Sequence, residues 1–144
     1  MSYTIKRITN ETQVNYDLLD FCYNAGHNLI TKMGPRYNWQ NFNLIDFAKK
    51  HRAVACYKDG IMVGLMLSVL LRSTFDSNKI VLRQEFLYTT KPKATWLLMK
   101  DFIDFGKRYA DHIITMTWSE TNIKEESLKR LGFNVLETQY IMEN

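Results

Sequence analysis

The feature that most constrains this chain is an Asp-Gly pair between two apolar segments. Asp59 and Gly60 follow the segment 53–57 and precede a longer apolar run, 61–71. Asp and Gly tolerate the positive φ that a tight hairpin turn demands. The run 61–71 is too short to span a bilayer, which takes about 20 apolar residues, so a buried strand explains it better. The pair therefore predicts a β-hairpin.

Hydrophobic periodicity predicts the other elements of the chain. Strands are expected where apolar and polar residues alternate, and helices where apolar residues recur at helical spacing. The predicted strands are 3–8, 79–90, 113–118 and 133–142, and the predicted helices are 13–31, 44–50, 92–109 and 125–131. Asn41 or Asn43 is expected to cap the second helix. In strand 79–90, simple alternation puts the even-numbered residues 82–88 on one face and the odd-numbered residues 81–87 on the other.

The order of these elements predicts an α/β (α+β) domain. Antiparallel strands come first, and strand 79–90 then crosses through helix 92–109 to a parallel strand, which gives a mixed, mostly antiparallel sheet with helices on both faces. The 144 residues, 46% of them hydrophobic, suffice for one core, and no repeat or linker divides them. We therefore expect a single domain, 1–144, in which strands 79–90 and 113–118 diverge toward their carboxyl ends and open a ligand cleft.

Composition argues against several classes of protein. The N-terminal segment lacks the apolar core of a secretory signal, so we expect a cytoplasmic protein without a membrane segment. Cys22 and Cys56 have no CxxC spacing and are interpreted as buried hydrophobes. His27, His51 and His112 are far apart in sequence and form no zinc-binding motif, so we expect no metal site.

Two short motifs resemble those of a known superfamily. The segment Asp59–Gly64 (DGIMVG) leads from a turn into a strand, and Ser127–Phe133 (SLKRLGF) joins a late helix to the last strand. Together with the order of elements from Ile5 to Met142, these motifs resemble the GNAT superfamily of N-acetyltransferases. A looser similarity connects the chain to small phage-encoded GNAT-like proteins. The resemblance implies a GNAT fold and an acetyl-CoA-dependent N-acyltransferase.

The resemblance also implies which residues would contact acetyl-CoA. In the family, the strand before the long helix binds the acetyl-pantetheine arm through its backbone, and the matching residues here are Leu87 and Tyr88. An asparagine that often contacts the same arm corresponds to Asn122.

A glycine-rich loop of the family presents backbone amides to the coenzyme's pyrophosphate. The matching segment here, 89–96, contains Lys91, Lys93 and Ala94 but no glycine, and Pro92 lacks an amide N–H altogether. We expect the two lysine ammonium groups to bind a phosphate of coenzyme A in place of those amides.

The family's general base is commonly a glutamate on the strand before this loop. Glu85 is the only carboxylate of strand 79–90, so the resemblance makes it the candidate base. The alternative is a structural ion pair between Glu85 and Arg83 or Arg72. Leu128 occupies the position of a family tyrosine that protonates the leaving thiolate, and leucine cannot do this.

Three hypotheses for function follow. The first is acetyl transfer to a primary amine, on a small molecule or a protein, bound between the aromatic loop 32–43 and the diverging strands. The second is a catalytically inactive binding or structural protein with the GNAT fold, which could assemble as an oligomer or as a component of a phage virion. The missing glycines and Leu128 favour this second hypothesis. The third, ranked last, is nucleic-acid binding, suggested by the net charge of +4, the basic runs 49–52 and 129–130, and exposed-looking aromatics.

Overall fold

A computed structural model gives the structure of residues 2–9, 21, 43–115 and 124–135. The strands in these ranges are β1 (Tyr3–Ile8), β2 (Arg52–Lys58), β3 (Ile61–Arg72), β4 (Ile80–Thr89) and β5 (His112–Ile114). The helices are α1 (Leu44–Lys50), α2 (Pro92–Tyr109) and α3 (Glu125–Arg130). The predicted helix 13–31 lies outside the described residues except for Phe21, and the predicted strand 133–142 is described only at 133–135, which are irregular.

In this part of the chain, β1 to β5 lie side by side in chain order. The pairs β1–β2, β2–β3 and β3–β4 are antiparallel, whereas β4 and β5 are parallel and are joined through α2. The predicted mixed, mostly antiparallel sheet is confirmed.

The turn between β2 and β3 has the conformation that its sequence predicts. Asp59 has φ 51° and Gly60 has φ 83°, which are the two positive values of a hairpin turn. The turn is tied to the start of β1, because the Ser2 amide donates to Asp59 Oδ1 and the Asp59 amide donates to the Ser2 carbonyl, both at 2.8 Å. The hairpin prediction is confirmed.

Apolar side chains form a separate core on each face of the sheet. One core joins the sheet to α1 and includes Leu44, Ala48, Leu65 and Phe86. The other joins the sheet to α2 and α3 and includes Met66, Leu82, Leu98, Phe102 and Leu128. The predicted placement of helices on both faces is therefore confirmed.

A bulge interrupts β4 in its second half. Leu67 of β3 pairs with Phe86, but the next residue, Ser68, pairs with Gln84, so Glu85 is an extra residue without a partner of its own on β3. Such an insertion bends a strand and changes the direction in which later side chains point.

The predicted alternation along strand 79–90 is wrong because of this bulge. Leu82 and Leu87 both pack in the core next to α2, although one has an even and the other an odd number. Phe86 and Tyr88 pack on the opposite face, next to α1. The extra residue shifts the period of two by one position, so residues before and after Glu85 follow different alternations.

Two glycines allow α2 to approach the sheet closely. A Cβ at Gly64 of β3 would lie 2.8 Å from Leu98 Cδ1, and a Cβ at Gly106 of α2 would lie 2.5 Å from Ile113 Cδ1. No larger residue fits at either contact without movement of its neighbour. This close packing fixes where α2 begins relative to the ends of β3 and β4.

Helix α3 ends in the way its LGF sequence predicts. Gly132 has φ 99°, its amide donates to the Lys129 carbonyl, and the Phe133 amide donates to the Leu128 carbonyl. This is the pattern of a Schellman cap, in which glycine takes the left-handed position. Among the described residues, no helix is long and apolar enough to cross a membrane.

Candidate functional site

The candidate site begins where the described pairing of β4 and β5 ends. The parallel register runs from Val81 opposite His112 to Arg83 opposite Ile114. The next contact is between side chains, since the Thr115 hydroxyl donates to Gln84 Oε1. The predicted parallel direction is confirmed, and the predicted divergence of the strands concerns residues 116–118, which lie outside the described ranges. Ligands of open α/β sheets bind beyond the carboxyl ends of parallel strands, which is this position.

Glu85 lies at this position, on the bulge of β4. Its Oε1 accepts two hydrogen bonds from Arg83, one from Nε at 2.9 Å and one from Nη2 at 2.7 Å. Its Oε2 has no partner among the described residues, and 36% of the side chain is exposed. The structural ion pair considered for Glu85 therefore forms with Arg83, and it leaves one carboxylate oxygen without a partner among the described residues.

The connection from β4 to α2 is short and is held by two hydrogen bonds. The Thr90 amide donates to the carbonyl of Val63, a residue at a bulge of β3. The hydroxyls of Thr89 and Thr95 form a short hydrogen bond between the end of β4 and the first turn of α2. Because Thr95 is buried, this bond fixes the helix against the strand end.

The N-terminus of α2 retains an open amide and a basic sequence. Lys91 is the N-cap and forms no side-chain capping bond, and the first turn contains no acidic residue. The Lys93 amide has no acceptor in the described part of the chain, whereas the Ala94 amide donates to the Lys91 carbonyl at 3.1 Å. The helix macrodipole places partial positive charge here, so an anion would be stabilised and lysines are not.

Lys93 belongs to a small basic group around Tyr3. Its Nζ lies 5.1 Å from the centre of the Tyr3 ring, and Lys58 Nζ lies 5.8 Å from the same centre. A cation over a ring face is attracted by about 0.5–1 kcal/mol at an exposed site. The ring thus holds two ammonium groups close to the start of α2.

The other predicted cofactor residues have different surroundings. Leu87 and Ala94 are buried in the core next to α2, so their side chains face other residues of the protein. Tyr88 is half-buried, and its ring makes an edge contact with Phe21 at 5.4 Å. Their backbones are the parts that could contact a coenzyme arm, as the resemblance implies. Asn122 lies outside the described residues, and all of these assignments stay predictions.

A row of buried polar side chains that was not predicted from the sequence lies on the α2 side of the sheet. Arg52, Ser68 and Gln84 are directly opposite one another on β2, β3 and β4. Each has a buried atom without a hydrogen-bond partner in the structure as described, namely Arg52 Nε, Ser68 Oγ and Gln84 Nε2. The sequence signal for this row is a polar residue within each of three mostly apolar strands. Only the pairing of the strands shows that the three residues lie side by side.

The remaining candidate residues have structural surroundings. Leu128 is buried against α2, so the position of the family tyrosine is part of the core. Burial raises the pKa of the Cys56 thiol, as expected for an inert buried cysteine. The described residues contain no group of three or more His, Cys, Asp or Glu side chains that could hold a metal ion.

Comparison with known proteins identifies the fold. No protein-family model and no curated protein matches the sequence. Among solved structures, a ribosomal-protein-alanine N-acetyltransferase from Brucella melitensis is 10% identical with a TM-score of 0.75, covering 100% of this chain and 99% of that one. An aminoglycoside acetyltransferase from a soil metagenome is 15% identical with a TM-score of 0.65, covering 100% and 99%.

A third similar structure is a transcriptional regulator from Bacillus halodurans, 15% identical with a TM-score of 0.72, covering 99% of this chain and 100% of that one. The order of the five described strands and the parallel β4–β5 pair indicate the same fold as these structural similarities. The chain has the GNAT fold, as its motifs predict.

Proposed function

We propose that this protein binds acetyl-CoA and transfers the acetyl group to a primary amine. The observation that supports this most is Glu85, a carboxylate on a bulge beside the end of the described β4–β5 pairing, whose Oε2 has no partner in the described part of the chain. Two of the proteins with similar folds are acetyltransferases, which supports this class of reaction. The substrates of those proteins are not assigned to this chain.

In this proposal Glu85 accepts a proton. A primary amine is mostly protonated near neutral pH and must lose a proton before its nitrogen can attack a carbonyl carbon. Arg83 holds Glu85 through Oε1, so Oε2 is the oxygen that takes the proton. Acetyl-CoA, when bound, supplies the activated acyl thioester.

The chain's own residues offer a site for the coenzyme's phosphates. The Lys93 amide is open within the described residues, and Lys91 and Lys93 add positive charge to the start of α2. A phosphate there would be stabilised by the helix end and by both ammonium groups. Lys93 would have to leave the ring of Tyr3 or bind the anion beside it.

A second function has its own support. Leu128 is buried and cannot protonate a thiolate, so a thiolate leaving this site would take its proton from water. The same observation favours a GNAT-fold binding protein without turnover. One of the similar structures is a transcriptional regulator, so the same fold also occurs outside described acetyltransferases.

Calorimetric titration with acetyl-CoA, followed by assays of thiol release with a panel of primary amines, tests the proposal. Micromolar binding together with amine-dependent thiol release would support acetyl transfer. Binding without release from any amine would favour the non-catalytic protein. The absence of detectable binding would contradict both acetyl transfer and a non-catalytic protein that binds the coenzyme.

A further inference from the structure

Gln84 has an unusual environment for a buried amide. Its side chain is 0% exposed, and its Oε1 accepts a hydrogen bond from the Thr115 hydroxyl. Its Nε2 has no partner in the part of the chain that the structure describes. A buried donor without a partner destabilises a fold, so such a group calls for a functional explanation.

The position of this amide is the reason to assign it a ligand. Gln84 is the first residue of β4 beyond the paired segment, which ends at Arg83 and Ile114. The hydrogen bond from Thr115 holds its amide toward β5, directly after the last described pair of the two strands, and ligands of such sheets bind beyond the carboxyl ends of parallel strands. The neighbouring Ser68 hydroxyl is also without a partner in the described ranges, so it does not satisfy Nε2.

Gln84 and the candidate base lie on opposite faces of the sheet. Gln84 is two residues from Leu82 on a regular stretch, so it faces the α2 side together with Leu82. Arg83, one residue away, faces the other side and is paired there with Glu85. A group lying between the strands would therefore meet a proton acceptor on one side and an N–H donor on the other.

We infer that the Gln84 side-chain amide donates a hydrogen bond from Nε2 to the carbonyl oxygen of the acyl thioester. This inference rests on the proposed function. When an amine nitrogen attacks the carbonyl carbon, the C–N bond forms, the oxygen gains negative charge, and the C–S bond then breaks as the charge returns. Glu85 takes the proton that the ammonium group loses before the attack, and the second proton, which the nitrogen loses after the C–N bond has formed, reaches the departing thiolate through water. A fixed donor at the oxygen stabilises the charged state.

Infrared spectroscopy of bound acetyl-CoA, labelled with ¹³C at the thioester carbonyl and with no amine present, tests this contact directly. In the wild-type protein the labelled carbonyl band is expected at lower frequency than in a solvent without hydrogen-bond donors, because a donated hydrogen bond weakens the C=O bond. Gln84→Met removes the donor at similar length and should abolish the shift. Ser68→Ala, which alters the neighbouring buried hydroxyl on the same face, is the matched control and should keep it.

Affinities give a second readout. Gln84→Met should weaken acetyl-CoA by about tenfold, which corresponds to about 1.4 kcal/mol, while affinity for coenzyme A without the acetyl group stays unchanged. Thr115→Val removes the bond that orients Gln84 and should reduce the band shift partly. It also provides the test if Gln84→Met does not fold, as judged by circular dichroism.

The outcomes separate this inference from the proposed function. If the wild type binds neither acetyl-CoA nor coenzyme A, the proposed function fails and the inference fails with it. If it binds acetyl-CoA without a band shift, or keeps the shift in the Gln84 and Thr115 variants, only the inference is overturned. An amide turned to present oxygen instead of nitrogen would also give no shift.

Discussion

Arg83 donates from both Nε and Nη2 to the same carboxylate oxygen of Glu85, at 2.9 and 2.7 Å. One residue separates Arg83 from Glu85 along β4, and the bulge at Glu85 lies between regular segments of the strand. The pair is partly exposed, with 48% of the Arg83 side chain and 36% of the Glu85 side chain accessible. Solvent screening therefore limits its contribution to stability, and its main effect is to orient the carboxylate.

Glu85→Gln should abolish most acetyl transfer while the protein remains folded. The amide keeps the size of the side chain but cannot accept the proton, and loss of a general base lowers the rate by about 10²–10⁴-fold. The unfolding free energy should fall by less than about 1 kcal/mol because the ion pair is exposed. Steady-state kinetics and urea unfolding measure both effects. Asp104→Asn, an exposed carboxylate change on α2, is the control, and unchanged turnover in Glu85→Gln would remove Glu85 from the mechanism.

Lys91→Ala combined with Lys93→Ala should weaken coenzyme A binding at least tenfold, about 1.4 kcal/mol. Both lysines lie at the start of α2, where an anion would meet their charge and the helix end. The salt dependence of binding should become flatter in the double variant. Titration at two ionic strengths measures this, with Lys100→Ala and Lys107→Ala on the same helix as the control. Equal affinities and equal salt slopes would show that Lys91 and Lys93 only face solvent.

Gly106→Ala should destabilise the protein despite the better helix propensity of alanine. The new Cβ would lie 2.5 Å from Ile113 Cδ1 and 2.6 Å from Ile113 Cγ1. Overpacking of this kind costs about 1–3 kcal/mol, against a gain of up to about 1 kcal/mol from propensity. In an Ile113→Ala background the same substitution should cost less. A double-mutant cycle by chemical denaturation measures the difference, and additive effects would mean that the helix shifts without strain.

Asp101→Ala should be more destabilising than the double change Arg52→Met with Asp101→Ala. Arg52 Nη1 lies 2.7 Å from Asp101 Oδ2, and the guanidinium carbon is 4.2 Å from the centre of the Phe105 ring. Only 14% of the Arg52 side chain is exposed, so removal of its partner leaves a largely buried charge. We expect the free energy of unfolding to fall by about 2 kcal/mol in the single variant. The loss should be smaller in the double variant, because the methionine side chain can pack on Phe105. Thermal unfolding compares them, and a double variant less stable than the single would contradict this account.

The elements that depend on short-range signals were predictable. The helix over 92–109 was predicted at the bounds that it has, because Pro92 suits the first turn and apolar residues recur at helical spacing. Asn43, one of two candidate caps for α1, accepts the Asp46 amide through Oδ1 at 3.1 Å. The Asp59-Gly60 turn required only two residues that tolerate positive φ.

The candidate site was predicted less completely, because its geometry depends on pairing between distant residues. The sequence named Glu85 and its pairing with an arginine, but the bulge that exposes Glu85 arises from the register of β3 against β4. The same register brings Ser68 beside Gln84, and no local pattern indicates that Gln84 Nε2 is without a partner among the described residues.

The sequence by itself determined the order of the described elements, the hairpin turn and the helix ends, since each depends on residues within a few positions of one another. The tertiary structure alone decided which side chains meet at the end of the β4–β5 pairing. A one-residue insertion in β4 reverses the faces of every later side chain, and the strand's own residues do not encode it. It is visible only in the register of β3 against β4, just as the close contacts of Gly64 and Gly106 involve residues that are distant in sequence.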